Sequence, residues 1–377
     1  MRAGPGQTVA GRYQVVDRVA PADPSRLRRL AVDGRTGTRV LLEAVELPEL
    51  LVPELNGSAD FEGSRWLDPA GLIAEVQAVL ADSLDHPRLR QSYAVVADEG
   101  LLWVAVEQPV AVGLPELLAD GPLEPYRVAE LAADLVGALG AVHRAGRAHG
   151  NLVVEQVLVC EDGAALLGGL AIGAAEEALA KELGGADGRR WGQARAGLVG
   201  ATAERWAPEQ LNGQVAAGPA ADFWALGVLL YRVLTGRGPF PEQTPTALFA
   251  AIRSGERADS GACGPLRPLV DRLLAAEPAD RPSVEEARGW LSELLAAAPE
   301  PYRVEPEPEV LPVLRPPGVL VRRPRRRARG ADSPVVTDHR RHARSAGRSS
   351  PLLPVLLVGG VLAAMVLALT AVVLLAG

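Results

Sequence analysis

The sequence holds a single lysine, Lys181, among its 39 basic residues; every other one is arginine. Chemistry that needs a side-chain amine, such as a Schiff base or a phosphate-gripping lysine, therefore has one candidate and no spare. Cysteine is nearly as scarce. Cys160 and Cys263 are too few for a disulfide framework, and that scarcity suggests a reducing compartment. Abundant Ala, Gly, Pro and Arg are also the usage of a GC-rich genome, so the arginine bias alone proves no function. What is present is globular: 48% of the 377 residues are hydrophobic, enough for one large domain with an appendage or for two modest domains.

The charge is unevenly placed. The chain carries −7 overall, yet from residue 301 onward there are 12 Arg against 5 acidic residues, a local sum of +7. The first 300 residues carry 27 basic and 41 acidic groups, a sum of −14. An acidic body and a basic tail are two physical objects that one isoelectric point hides.

Residues 352–376 are 25 positions without a charge. As a helix they would span about 37 Å, enough for a hydrocarbon core of about 30 Å. A buried core helix rarely runs so far without a polar edge, so a membrane span over 351–376 is expected. Only Gly377 follows it. Ten arginines against two aspartates occupy 322–348, and basic flanks stay on the cytoplasmic side. The N-terminus has no apolar run long enough for a signal peptide. A single-pass protein of the cell membrane with a cytoplasmic body follows. No aromatic residues interleave with the basic stretch, so anionic headgroups are its expected partner rather than nucleic acid. Gly359 with Ala363 and Gly360 with Ala364 have the small-xxx-small spacing of helix dimers, which leaves a homodimer through the span open. Residues 299–350 are rich in Pro and Arg and read as a semi-extended juxtamembrane linker.

The body changes period along its length. Residues 12–19, 30–33, 39–45 and 101–106 are short and β-rich, with Gly34 and Gly37 marking a turn. Asp68-Pro69 opens a helix running to about Leu80. Beyond residue 110, segments 125–145, 220–234 and 283–297 repeat apolar residues at helical spacing. Strands followed by helices predict an α+β chain in two lobes.

The motifs within this frame resemble the bacterial serine/threonine protein kinase family, of the actinobacterial type. WAPEQL (206–211) resembles the APE motif that closes the activation segment. ADFWALGVLLYRVLTGRGPF (221–240) resembles helix F, with Asp222 near its start. DRPSVEEA (280–287) supplies Arg281, the family's partner for the APE glutamate, here Glu209. LDHPRL (84–89) and AVHRAGRAHGNL (141–152) fall where the family places them. The resemblance covers residues 11–298 and implies a two-lobed protein-kinase-like fold over 1–298, with an N-lobe at 11–107 and a C-lobe at 108–298. Independently of it, Glu209 and Arg281 suit a bidentate, partly buried pair, and Asp222 suits a carboxylate accepting backbone N–H bonds at a helix start.

Phosphoryl transfer needs cations on the phosphates and a base on the acceptor hydroxyl. The resemblance places each part, and each is altered. The glycine-rich loop falls on 19–29, where there is no glycine and where Pro21 and Pro24 remove two N–H donors. The strand lysine aligns with Glu43, of the wrong sign. Lys181 lies in the activation segment and is not expected to substitute. The helix C glutamate falls on Glu75 or Gln77, either of them expected to be a solvated helix residue. The catalytic loop runs from His149 to Gln156. Asn151 stands for the base aspartate, and an amide takes no proton. Val153 stands for the lysine, Gln156 for the metal-binding asparagine, and Gly150 for the arginine before the base. The metal-binding D-F-G falls on Leu167, Gly168 and Gly169, with no carboxylate for Mg²⁺. Asp162 reads as a turn residue. Thr202, aligned with a structural threonine, is the only Ser, Thr or Tyr between Gly169 and Glu209.

Five catalytic elements are altered while the packing elements remain, which implies a pseudokinase: a membrane-tethered signalling scaffold or regulator that binds protein partners, other kinases among them, and transfers no phosphate. No cofactor is expected; ATP without Mg²⁺ is the one nucleotide state left open. The alternative is an active serine/threonine kinase with an unconventional ATP site, and a third reading is a nucleotide-free switch holding a peptide between the lobes. The segment 49–66, ahead of helix C, is the least family-like part of the body and is read either as a partner-contact surface or as a tolerated surface loop.

Overall fold

The computed structural model describes residues 4–18, 27–47, 50–51, 65–81, 85–184, 200–211 and 218–299. All of them belong to the first of two compact units, Met1–Glu309. Among the described residues no helix is long and apolar enough to cross a membrane. The expected span, the linker, most of the 49–66 insertion and the loop at 19–26 lie outside the described residues.

Strands β1 (Thr8–Val9), β2 (Tyr13–Arg18), β3 (Arg28–Asp33) and β4 (Arg39–Glu46) open the chain. After β5 (Leu50–Leu51), β6 (Arg65–Trp66) and helix α1 (Pro69–Ala81) come β7 (Ser92–Asp98) and β8 (Leu101–Glu107). The main sheet has the order β1-β2-β3-β4-β8-β7 with antiparallel pairing throughout, while β5 and β6 pair separately. Side chains alternate across a strand, so β4 and β8 each feed two cores. Val40, Leu42 and Ala44 pack with Tyr13, Ala31 and Trp103 on one face. Leu41 and Val45 pack with Leu102, Val104 and Val106 on the other. Burial on both faces explains why these two strands read as continuous apolar runs. The same alternation puts Glu43 on the second face, between Leu41 and Val45.

The helical lobe follows. Strand β9 (Ala111–Gly113) and the short helix α2 (Leu114–Leu117) lead into α3 (Pro125–Arg144), whose first-turn proline suits a helix start. Strands β10 (Val157–Cys160) and β11 (Ala165–Leu167) form a hairpin, turned by Asp162 accepting the Ala164 N–H at 2.9 Å. Helix α4 (Leu170–Gly184) comes next, then the 3₁₀ segment Gly200–Arg205 and a single turn, α5 (Pro208–Leu211). Helix α6 (Pro219–Thr235) is buried almost all round, with Phe223, Trp224, Leu226, Leu230 and Tyr231 in the largest core, as expected of a helix apolar on every side. Helices α7 (Pro245–Ser254), α8 (Arg267–Leu273) and α9 (Val284–Ala296) complete the lobe; α9 opens with a reciprocal capping box between Ser283 and Glu286.

The helices predicted at 69–80, 125–145, 220–234 and 283–297 are present to within about two residues, so the α+β, two-lobed expectation holds. No helix is predicted between Gly169 and Glu209, in the region read as an activation segment, and Leu170–Gly184 form the 15-residue helix α4 there. Ala171, Ile172, Ala175, Ala178 and Leu179 bury one face of it against α1 and the β4–β8 face of the sheet.

Candidate functional site

The loop from His149 to Gln156 is held from below by one carboxylate. Asp222 accepts the backbone N–H of His149 at 2.7 Å and of Gly150 at 2.8 Å, and lies 2.8 Å from His143 Nε2. It thus fastens a loop 72 residues away rather than the start of its own helix, where Gly218 is the cap. His149 is fully buried, and its Nδ1 accepts the Asn151 N–H at 3.3 Å. Burial pushes the His149 imidazole down to about 4, against the opposing pull of the Asp222 charge and the Gly168 backbone.

Asn151 is completely buried. Its Nδ2 donates to the Gly169 carbonyl at 3.1 Å, and its Oδ1 has no partner among the described residues. Val153 is buried. Gln156 is 2% exposed; its backbone carbonyl accepts the Gly168 N–H at 2.7 Å, and neither atom of its side-chain amide finds a partner among the described residues. Leu167 fills its place with an apolar side chain, 1% exposed. Gly169 has φ +86°, and a Cβ there would lie 2.7 Å from Gln156 Cδ and 2.8 Å from Asn151 Nδ2. At Gly168 a Cβ would meet Arg90 Cδ at 3.2 Å and Gln156 Oε1 at 3.4 Å. Asn151, Gln156, Gly168, Gly169 and Arg90 are therefore brought together in van der Waals reach.

Glu43 closes the group from the sheet side. It is 2% exposed, and its Oε1 receives Arg28 Nη2 at 3.1 Å and Arg90 Nη1 at 3.2 Å. Arg28 sits directly across from Glu43 in the β3–β4 register. The same Nη2 donates to the Glu155 carbonyl at 3.2 Å, so one guanidinium joins the strands of one lobe to the loop of the other. Arg90 also donates from Nε to the Glu107 carbonyl at 2.7 Å; burial pushes its guanidinium below its usual range, and Glu43 opposes that. Neither arginine was singled out from sequence. The signal for Arg28 was its opposition to Glu43 once the hairpin at Gly34–Gly37 is registered; nothing in the spacing marks Arg90.

Farther down, Arg281 donates from Nη1 and Nη2 to Glu209 Oε1 and Oε2 at 2.7 and 2.9 Å, and its guanidinium lies 5.3 Å from the Trp224 ring centroid. A family profile described as the protein kinase domain matches residues 62–290. The chain belongs to the protein kinase family. Relatives include a Myxococcus xanthus protein named serine/threonine-protein kinase pkn3, 29% identical over 62% of this chain and 43% of its own length. A probable serine/threonine-protein kinase, pknA2, of Bifidobacterium longum is 24% identical over 81% of this chain and 38% of its own length. Serine/threonine-protein kinase PknL of Mycobacterium tuberculosis is 30% identical over 51% of this chain and 47% of its own length. The chain thus spans less than half the length of these relatives.

A kinase of this family is expected to hold a nucleotide through Mg²⁺ and a lysine. The residues present do not fit that group. Glu43, which the resemblance aligns with that lysine, carries the opposite charge, and its carboxylate is already shared by two arginines. Mg²⁺ demands several oxygen ligands, carboxylates foremost, and the positions that the resemblance aligns with them hold Gln156 and Leu167, neither of them a carboxylate. Beside two guanidiniums a divalent cation would also be repelled. Among the described residues there is no cluster of His, Cys, Asp and Glu that would hold a metal.

The remaining expectations fall as follows. Thr202 lies in the 3₁₀ segment, and its side chain is outside the described set. Helix α4 is tied to that segment by a buried pair, Glu176 Oε2 with Arg205 Nη2 at 2.8 Å. Glu75 and Gln77 are exposed on α1. Glu75, Val79, Arg147, Glu177 and Lys181 surround a cavity of about 390 Å³ between α1 and α4, with His149 at its floor. Lys181 thus lines that cavity, while the partners of Glu43 are Arg28 and Arg90.

Proposed function

We propose that this protein kinase family member is catalytically inactive: a membrane-tethered pseudokinase that works as a signalling scaffold or regulator. The observation that carries the reading is Asn151. The group in the base position is an amide, fully buried and bonded to the Gly169 carbonyl, with no means of taking a proton from a hydroxyl. Glu43 in place of the lysine and Leu167 in place of the metal-binding aspartate point the same way.

The tether rests on the uncharged stretch 352–376 and the arginines that precede it, which orient the body to the cytoplasm. The partners would be proteins, other kinases among them, and the 49–66 segment ahead of α1 is the surface proposed to meet them. Deleting that segment and comparing co-purified proteins tests the assignment; an unchanged set would remove it.

The test of the main reading is radiolabelled phosphotransfer by the full-length protein with Mg²⁺ or Mn²⁺. No label is expected on the protein or on a generic substrate. Label that disappears in an Asn151→Ala variant would establish the second reading, an active kinase with an unconventional ATP site, which the names of the relatives favour. A melting temperature raised by ATP only with a divalent ion would favour the same alternative.

A further inference from the structure

We propose that Glu43 is a built-in anion occupying the place of a nucleotide phosphate, so that the Arg28–Glu43–Arg90 bridge ties the two lobes together without ligand. The proposal deepens the inactive reading above and rests on it. Three observations carry it. First, the carboxylate is shared: one oxygen, Oε1, lies 3.1 Å from Arg28 and 3.2 Å from Arg90, the arrangement by which guanidiniums hold a phosphate oxygen. Second, all three side chains are sequestered, at 11%, 3% and 4% exposure for Arg28, Glu43 and Arg90. Two like charges held that close out of water require an anion between them. Third, Arg28 does not stop at Glu43. It reaches the Glu155 carbonyl at 3.2 Å, on the loop that carries Asn151 and Gln156. In a nucleotide-binding kinase the ligand's phosphates link the lobes; here a carboxylate of the chain provides that link.

The consequence is specific. Removing the carboxylate leaves two guanidiniums facing a vacated space, and a small anion should then bind where none binds the native protein. The experiment is thermal melting of the full-length protein and its Glu43→Ala variant, metal-free with EDTA, with and without inorganic phosphate. Glu43→Ala should melt roughly 5–15 °C lower than the native protein. Phosphate should recover a dose-dependent part of that loss, and should leave the native protein unmoved. A variant that melts like the native protein, or phosphate that stabilises both proteins equally, overturns the proposal. Should Glu43→Ala fail to fold, Arg28→Met removes the inter-lobe arm and leaves the Glu43–Arg90 pair. Hydrogen exchange at residues 154–157 should then quicken by roughly tenfold, the loss of one charge-assisted hydrogen bond. Unchanged exchange there overturns the tie. Neither readout requires phosphotransfer, so activity found in the labelling assay would sink the inactive reading while these measurements still report on the bridge.

Discussion

Arg281 has five N–H donors and uses all of them. Nε donates to the Ala275 carbonyl, Nη1 to Glu209 and the Ala220 carbonyl, and Nη2 to Glu209 and the Ala276 carbonyl. Its side chain is 1% exposed, so its removal strands a carboxylate and three carbonyls. Arg281→Ala is expected to cost about 3–5 kcal/mol. Lysine restores the charge but not the fork, and should recover less than half. Denaturant midpoints of the two variants check both statements, and a lysine variant as stable as the native protein would refute the second.

His149 provides the pH prediction at the same scale. An ordinary imidazole titrates near 6.5, and this one is held down to about 4 by burial. The folded protein declines a proton that the unfolded chain accepts. Stability is therefore full above pH 6.5 and falls as the pH drops from 6.5 toward 4, by about 3 kcal/mol in all. A His149→Gln variant should lose this slope. The check is the difference in urea midpoint between native and variant proteins across that window; a constant difference would contradict the assignment. Single residues were the most legible scale. Glu43, Asn151 and Gln156 were singled out by the resemblance, and the fold buries all three, Asn151 and Gln156 against Gly169 and Glu43 against Arg28 and Arg90. Arg90 could not be singled out, because 47 residues separate it from Glu43 and only the folded sheet brings them together.

At the scale of elements, β4, β8, α3 and α6 were legible because their apolar runs have lengths and periods that suit one kind of burial. Helix α4 was not. Its buried face is mostly alanine, Ala171, Ala175 and Ala178, which stands out little in an alanine-rich chain. That choice has a steric reason. At Gly173 an added Cβ would lie 2.8 Å from the His149 carbonyl and 2.9 Å from Asn151 Cβ. The helix can rest on the loop from His149 to Gln156 only where side chains are small or missing. Gly173→Ala should therefore destabilise, as crowding of about 1–3 kcal/mol outweighs a helix-propensity gain of about 1 kcal/mol. Gly289→Ala, at an exposed position of α9 with nothing within 4 Å of the added carbon, should stabilise by about 0.5–1 kcal/mol. Opposite signs in paired melts test the account; equal signs would show that α4 does not rest on the loop as described.

For the whole molecule, the two-lobed body was legible from the order of its motifs, whereas the closed contact between lobes was not. That contact depends on where Arg28 ends, and no spacing rule specifies the end of a long side chain. The charge division also belongs to this scale: −14 in the first 300 residues and +7 beyond them. If 352–376 spans a bilayer, the full-length protein should stay with membranes after washing at high salt, which screens headgroup attraction but not insertion. A chain ending at 351 should wash off. Release of the full-length protein by salt would mean that the arginines alone hold it.

The scarcity of lysine has a practical consequence. Lys181 projects into solvent from α4, and it is the only side-chain amine in the molecule. An amine-directed fluorophore, used where the α-amino group is blocked, would attach at that one position without any engineering. The dye would stand beside the cavity between α1 and α4, over the helix whose docking buries Ile172 and Leu179. Its emission would then follow that helix alone, in the unaltered protein, as partners or nucleotides are added.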